Sequence, residues 1–281
     1  MLTGTGFEIM KKNKPSVKIL ILSKKLAIML LSAMILMLSW SAALVVRYAY
    51  TGKDGLDGKT IVIDPGHGGV DGGTGFGKIL EKDINLDVSL KLRDLLEKSG
   101  AKVIMTRVED VELGKSERID RSRYMRDLNF RVDTINNSSA DIFISIHTNS
   151  NINNPSTRGA IAFYCNSNPR NREMAYIFQN VFNTLEFDFQ GNKYKSHHIP
   201  QKGNYYILRN AKVPGIIIET GFLTNRVDRL LLQRDDYKTY LSYVLYRSIV
   251  DYFASSDKPH MEIEDRAEIE EENLIKMHED T

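Results

Sequence analysis

Residues 60–66 read Thr-Ile-Val-Ile-Asp-Pro-Gly, and this stretch decides the fold. Its unbroken run of β-branched residues is typical of a strand that is buried on both faces of a sheet. The following Asp64-Pro65-Gly66 ends the strand, because proline and glycine favour a turn. A strand that is buried on both faces needs helices above and below it, so the run predicts an α/β protein.

The residues that follow alternate between strand-like and helix-like patterns. Residues 82–99 fit both an alternating strand and one face of a helix, but their length and the glycine at position 100 favour a helix. The other predicted elements are strands at 103–105, 142–146, 159–164 and 214–218, and helices at 120–137, 172–185 and 237–252. Together they predict a single α/β domain with a mostly parallel twisted sheet and helices on both faces.

An N-terminal transmembrane helix is predicted to precede this domain. Residues 26–46 carry no charged side chain over 21 positions, and about 20 apolar residues span the hydrocarbon core of a membrane. Six lysines and one glutamate give residues 1–25 a net charge of +5, which favours a cytoplasmic N-terminus with the rest of the chain outside. Ser41-Ala42-Ala43 also resembles a signal-peptide cleavage site, so a protein cleaved near Ala43 and secreted remains the alternative.

Composition sets the remaining segments and excludes several classes of protein. The predicted order is a basic cytoplasmic arm (1–25), a signal anchor (26–46), a linker (47–59), a catalytic domain (60–254) and an acidic tail (255–281). Ten acids and three bases give the tail a net charge of −7, typical of a solvated segment.

The net charge of the whole chain, +2, argues against a nucleic-acid partner. One cysteine, Cys165, excludes a disulfide framework and a cysteine-based zinc site.

Three ionisable residues follow the predicted buried strands. His67 comes after the first strand across Asp-Pro-Gly, His147 directly follows residues 144–146, and Glu219 directly follows residues 216–218. Ligands of open α/β sheets bind beyond the carboxyl ends of the strands, so these side chains are expected to converge on one site.

A fourth candidate, Glu81, begins the helix after the glycine-rich residues 66–77, where Asp71 and Asp83 are alternatives. Two imidazoles and one carboxylate are the usual ligands of an open catalytic zinc site, which predicts one Zn²⁺ at His67, Glu81 and His147. Glu219 would then be the general base, since partial burial raises the pKa of a carboxyl. Substrate binding by Asn149 and Arg209 is a further hypothesis, with loop hydrogen bonding as the alternative.

Four motifs resemble those of the zinc-dependent N-acetylmuramoyl-L-alanine amidases, the amidase 3 family. They are Val62-Ile-Asp-Pro-Gly-His-Gly-Gly69, Glu81-Lys-Asp83, Ser145-Ile-His-Thr-Asn149 and Ile218-Glu-Thr-Gly-Phe-Leu223, in the family order. The resemblance implies zinc ligands at His67, Glu81 and His147, and a catalytic Glu219. It also implies peptidoglycan as the substrate, cleaved at the amide between N-acetylmuramic acid and L-alanine.

Two stretches, Met105-Thr-Arg-Val-Glu-Asp110 and residues 121–129, are similar to the germination-specific amidases of spore-forming bacteria. This similarity implies a role in spore cortex maturation, leading to muramic-δ-lactam. The alternatives are a catalytically silent wall-binding or regulatory protein of the same fold, and a zinc peptidase that cuts the stem peptide. The expected partners are peptidoglycan and, through the N-terminal helix, the membrane; an activating protein partner is an open alternative.

Overall fold

The computed structural model describes residues 23–51, 54–114 and 122–256. Most of the basic arm, nearly all of the acidic tail and the first residues of the helix predicted at 120–137 lie outside these ranges. The elements in chain order are α1 (Lys24–Thr51), β1 (Thr60–Pro65), β2 (Gly75–Phe76), β3 (Ile79–Leu80), α2 (Glu81–Lys98), β4 (Lys102–Met105), α3 (Arg123–Asn137), β5 (Ile142–Asn149), β6 (Ile161–Tyr164), α4 (Pro169–Asn183), β7 (Glu186–Phe189), β8 (Asn192–Lys195), β9 (Gln201–Lys202), α5 (Tyr206–Asn210), β10 (Gly215–Phe222), α6 (Arg226–Leu232) and α7 (Asp235–Ser256).

The chain divides into two compact units, with the boundary between residues 48 and 49. In the first unit, α1 contains one candidate membrane span, Lys24–Ser41, with a mean hydropathy of 1.5. Its large apolar side chains, from Leu26 to Trp40, are exposed. By length and composition this helix is suited to cross a membrane or to serve as a secretion signal.

A six-stranded sheet forms the centre of the second unit, in the order β4-β1-β5-β10-β6-β9. Neighbouring strands are parallel except for β6, which runs antiparallel to β10. The expectation of a mostly parallel sheet is therefore confirmed. The register of the parallel strands places Asp64 beside Ser145 and Glu219 beside His147.

Both faces of the sheet are covered by helices. Ile61 and Ile63 of β1 belong to the larger apolar cluster, in which α2 and α4 contact the sheet and α7 packs against both helices. Val62 points the opposite way, into a smaller cluster with residues of α3 and α5. This two-sided burial confirms the interpretation of the opening strand.

Three strands end later than the sequence predicts, and the first of them, β1, includes Asp64 and Pro65, which were expected to end it. β5 continues to Asn149 and β10 to Phe222, so His147 and Glu219 lie within strands rather than directly after them. Backbone pairing with a neighbouring strand does not depend on side-chain polarity, and it continues where the apolar run has ended. The short elements β2, β3, β7, β8, β9, α5 and α6 were not predicted, because runs this short carry little periodicity.

Candidate metal centre

Three side chains of metal-ligating type meet at the carboxyl end of the sheet. Each of His67, Glu81 and His147 offers one ligand atom, and these atoms lie within 4.8 Å of one another. Glu81 Oε1 lies 2.9 Å from His147 Nδ1 and 3.2 Å from His67 Nε2. Two imidazoles and a carboxylate at this spacing fit a single zinc ion, because they supply the ligand types of an open catalytic zinc site from three separate elements.

His67 lies in the loop after β1, with a backbone conformation that is rare for a residue with a side chain. Its φ of +60° falls in the left-handed region. Two buried arginines hold the carbonyls around it: Arg131 donates to Pro65 O (2.7 Å) and His67 O (2.8 Å), and Arg107 donates to Pro65 O (3.0 Å) and Gly66 O (2.8 Å). These bonds fix a loop conformation that would otherwise be disfavoured.

Arg131 also forms an ion pair with Asp64, at the end of β1. Its Nη1 lies 2.6 Å from Asp64 Oδ1, and the two side chains are only 3% and 1% exposed. Thr106 and Ser145 donate further hydrogen bonds to the same carboxylate, each at 2.7 Å. Burial alone would raise the pKa of Asp64, but Arg131 and these hydrogen bonds hold that pKa below its usual range.

Glu81 is the first residue of α2, where the helix dipole favours a negative charge. Thr74 N donates to Oε2 at 2.8 Å, while Thr148 N and Asn85 Nδ2 donate to Oε1 at 3.1 and 3.2 Å. Burial opposes ionisation, but the hydrogen bonds and charges of His147 and His67 hold the pKa of Glu81 well below its usual range. Glu81 is therefore ionised and presents a fixed negative charge to the cluster.

Two glycines make this close packing possible. A side chain on Gly66 would place its Cβ 2.3 Å from His147 Cε1, and one on Gly73 would place its Cβ 2.5 Å from Glu81 Oε2. Contacts this short are forbidden by sterics. Gly66 therefore forms the floor under the His147 ring, and Gly73 allows the loop to pass over Glu81.

Glu219 stands next to His147 in the sheet. Its Oε2 is buried and receives no hydrogen bond from the described part of the chain. Burial raises the pKa of the Glu219 carboxyl to about 7; attraction to His147 and His67 opposes this rise and repulsion from Glu81 adds to it. A carboxyl with this pKa can both accept and return a proton near neutral pH.

Among the described residues, the other candidates from the sequence are not part of the three-residue cluster. Asn149 Oδ1 accepts a hydrogen bond from Ser150 N at 2.7 Å, and Arg209 donates to Asn204 Oδ1 at 2.8 Å. Asp83 is exposed on α2. Asp71 accepts a hydrogen bond from His67 Nδ1 at 2.8 Å, on the side of the ring away from Glu81.

Sequence reasoning missed Arg107, Arg131 and Tyr205. Arg131 lies on the buried side of α3 with Val132 and Ile135. A charged residue on an otherwise apolar helical face was the sequence feature that could have identified it as a buried ion-pair partner. Tyr205 packs edge-on against Phe163, at 5.5 Å between ring centroids. Burial and the Glu219 carboxylate raise the pKa of Tyr205, which places this ring in the electrostatic field of the proposed base.

Comparison with known proteins agrees with this geometry. Residues 61–251 match the N-acetylmuramoyl-L-alanine amidase family amidase 3. The chain is 39% identical over 206 residues to the germination-specific N-acetylmuramoyl-L-alanine amidase of Bacillus subtilis, which covers 73% of this chain and 84% of that protein. It is 30% identical over 206 residues to the probable cell wall amidase LytH of Staphylococcus aureus, which covers 72% of this chain and 61% of that protein.

Among solved structures, the chain resembles the CwlD amidase from Clostridioides difficile, which was solved in complex with the GerS lipoprotein. The two chains are 33% identical, the TM-score is 0.63, and the match covers 70% of this chain and 99% of that one. The matched part of this chain is the single α/β domain formed by the six-stranded sheet and the helices on its two faces.

Removing Arg131 should destabilise the protein in a pH-dependent way. Arg131→Ala leaves the buried Asp64 carboxylate without its counter-charge, so we expect the free energy of unfolding to fall by about 3–5 kcal/mol at pH 7. The stabilisation of the wild type by Asp64 is present above its unfolded pKa, near 3.8, and is lost only below that pH. In Arg131→Ala, burial without the counter-charge should raise the pKa of Asp64, so its carboxyl becomes protonated and the difference from wild type should shrink towards pH 4. Urea titrations at both pH values measure it. Arg123→Ala, on the exposed side of the same helix, is the control, and an equal loss in both variants would contradict the assignment.

Glu219→Gln should stabilise the metal-free protein above neutral pH. The pKa of Glu219 in the folded state, about 7, exceeds the ordinary glutamate value of 4.5, so the folded state loses stability as pH rises from about 4.5 to 7. Glutamine carries no charge and avoids this loss. In the presence of a chelator at pH 8 we expect the Tm to rise by about 2–4 °C, corresponding to roughly 1 kcal/mol for a partly exposed side chain. The gain should disappear at pH 5; a gain of the same size at both pH values would refute a raised folded-state pKa for Glu219.

Proposed function

The chain belongs to the N-acetylmuramoyl-L-alanine amidase family, and we propose that it is a zinc-dependent amidase of the spore cortex. Amidases of this family hydrolyse peptidoglycan, so the reaction class and polymer follow from membership. The observation that carries the proposed zinc chemistry is the cluster of His67, Glu81 and His147. It is supported on the neighbouring strand by Glu219, whose buried Oε2 has no hydrogen-bond partner among the described residues.

The ligand set fits zinc by chemistry and by spacing. His67, Glu81 and His147 would hold the ion and leave a fourth position open. Zinc in such a site supplies a Lewis acid that polarises an amide carbonyl and favours deprotonation of water. The ionised Glu81 lies between the two imidazoles and compensates the charge of a cation.

Glu219 would act as the general base and then as the general acid. It would take a proton from the attacking water and deliver it to the nitrogen of L-alanine as the amide bond breaks. This transfer requires a carboxyl that exchanges protons near neutral pH, and burial supplies that property. Burial raises the pKa of the Tyr205 hydroxyl, and Tyr205 lies close enough to Glu219 for that carboxylate to raise it further.

Two polar side chains would orient the substrate. Asn149 ends β5, next to the strand that carries Glu219. Arg209 is exposed on α5, and its guanidinium donates hydrogen bonds to the backbone and side-chain oxygens of Asn204. A guanidinium fits the free carboxylates of a stem peptide, because it forms paired charged hydrogen bonds with them.

The site of action would be outside the cytoplasmic membrane. α1 would serve as a membrane anchor with the lysine-rich N-terminus inside, and a cleaved secretion signal is the alternative. Similarity to the germination-specific amidase of Bacillus subtilis supports a role in cortex maturation, where removal of stem peptides would precede formation of muramic-δ-lactam. The complex of the related amidase with GerS supports a search for a lipoprotein partner.

The products identify the bond that is cut. We expect the full chain in detergent to release free peptides with N-terminal alanine from purified peptidoglycan, as measured by mass spectrometry. A chelator should abolish the release, and added Zn²⁺ should restore it. Glu219→Gln should lower the rate by about 10²–10⁴-fold, because it removes general base catalysis. Asp83→Asn, exposed on α2, is the matched control. Release that survives the chelator would refute the zinc mechanism, and peptides cut internally would identify a peptidase.

The cortex role has its own test in the producing organism. A strain that lacks this gene should form spores whose cortex muropeptides contain no muramic-δ-lactam, as measured by chromatography and mass spectrometry. Complementation with wild type should restore the lactam, and complementation with Glu219→Gln should not. Normal lactam in the deletion strain would assign the enzyme to another wall compartment.

A further inference from the structure

The two nitrogens of the His67 ring have different partners. Nε2 faces the cluster, 3.2 Å from Glu81 Oε1. Nδ1 points the other way and donates to Asp71 Oδ2 at 2.8 Å. A ring whose Nδ1 carries the proton can present only Nε2 as a lone-pair donor, so the hydrogen bond to Asp71 determines which nitrogen can bind a metal.

Asp71 is itself held in place from several directions. Its backbone exchanges two hydrogen bonds with Gly68, at 2.9 and 3.1 Å. Its second carboxylate oxygen, Oδ1, accepts from Gly73 N at 3.1 Å. Both oxygens of the carboxylate are therefore occupied, one by the metal-site histidine and one by the loop that passes over Glu81.

The other histidine is oriented by a different means. His147 lies within β5 and presents Nδ1 to Glu81. Its ring rests directly on Gly66, and its backbone carbonyl accepts a hydrogen bond from Thr220 at 3.0 Å. The position of His147 within β5 and the close contact of its ring with Gly66 hold this residue in place. His67 lies on a loop, so its ring depends on the hydrogen bond to Asp71.

We propose that Asp71 is a positioning residue that fixes the tautomer and ring orientation of His67, so that Nε2 is the metal-binding nitrogen. This inference rests on the proposed zinc site. A histidine ligand that is held by a carboxylate loses less freedom on binding, and loss of such a partner weakens metal binding by about 10–100-fold. Asp71 acts through His67 and does not itself face the cluster.

An amide cannot replace this carboxylate. Asparagine has a single oxygen, whereas His67 Nδ1 and Gly73 N both require an acceptor. If the amide oxygen faced Gly73, its NH₂ group would donate to Nδ1 and move the ring proton to Nε2, which would block the metal-binding position. Asp71→Asn and Asp71→Ala should therefore have similar effects, although asparagine preserves the size of the side chain.

The experiment measures zinc affinity of the detergent-solubilised full chain by competition with a chromophoric chelator at one pH. We expect Asp71→Asn and Asp71→Ala to raise the Kd by about 10–100-fold. The matched control Asp83→Asn removes one charge nearby and should stay within about twofold of wild type. Histidine ¹⁵N spectra of the zinc-loaded proteins supply a second readout: the Nδ1–H signal of His67 should be present in wild type and shifted in both Asp71 variants. The melting temperatures of the metal-free proteins should agree, which excludes a general loss of structure.

Three outcomes would overturn the inference. Affinity within about twofold of wild type in both Asp71 variants would show that His67 needs no partner. A loss as large as that of His67→Ala would make Asp71 a ligand rather than a positioning residue. Failure of the wild type to bind zinc would refute the proposed function, and with it the role of Asp71.

Discussion

The buried ion pair between Asp64 and Arg131 is the constraint on which the rest of the site depends. A buried pair of this kind costs desolvation energy on both sides, and it is tolerated only where hydrogen bonds satisfy the remaining groups. Thr106 and Ser145 meet that condition for Asp64, and the carbonyls of Pro65 and His67 meet it for Arg131. The same contacts that satisfy the pair therefore also shape the loop that carries His67, because its carbonyls are part of the network.

Much of the fold could be predicted from its apolar patterns. The apolar run at residues 61–63 predicted that β1 is buried on both faces, and long stretches with helical periodicity predicted α2, α3 and α7. The patterns could not locate β9 and α5, which have two and five residues and exist only because the rest of the sheet provides a surface for them. They also ended β5 and β10 too early, since pairing between strands continues past the last apolar residue.

The candidate site was predictable where its residues follow buried strands, and hidden where they come from a helix face or a loop. His67, His147 and Glu219 carried that signal, and Glu81 became a candidate from its place at the start of the helix after the glycine-rich residues 66–77. Arg131 lies on the same side of α3 as Val132 and Ile135, where helical periodicity alone indicates an apolar contact. Burial of the Arg131 charge would be unfavourable without a partner, and Asp64 provides that partner. The two residues meet only in the tertiary structure, so the helical pattern alone could not reveal the ion pair.

The three candidate ligands come from elements of different rigidity, and this difference governs how each is held. His147 belongs to a central strand and Glu81 to the first turn of a helix, so regular backbone hydrogen bonds restrain both. His67 belongs to a loop and has a left-handed backbone, so side chains that reach it from elsewhere contribute more to its position. Arg131 donates a hydrogen bond to its backbone carbonyl, Arg107 donates to the carbonyls of the two preceding residues, and Asp71 accepts a hydrogen bond from its ring. Loss of these side-chain contacts should therefore disturb His67 before it disturbs His147 or Glu81.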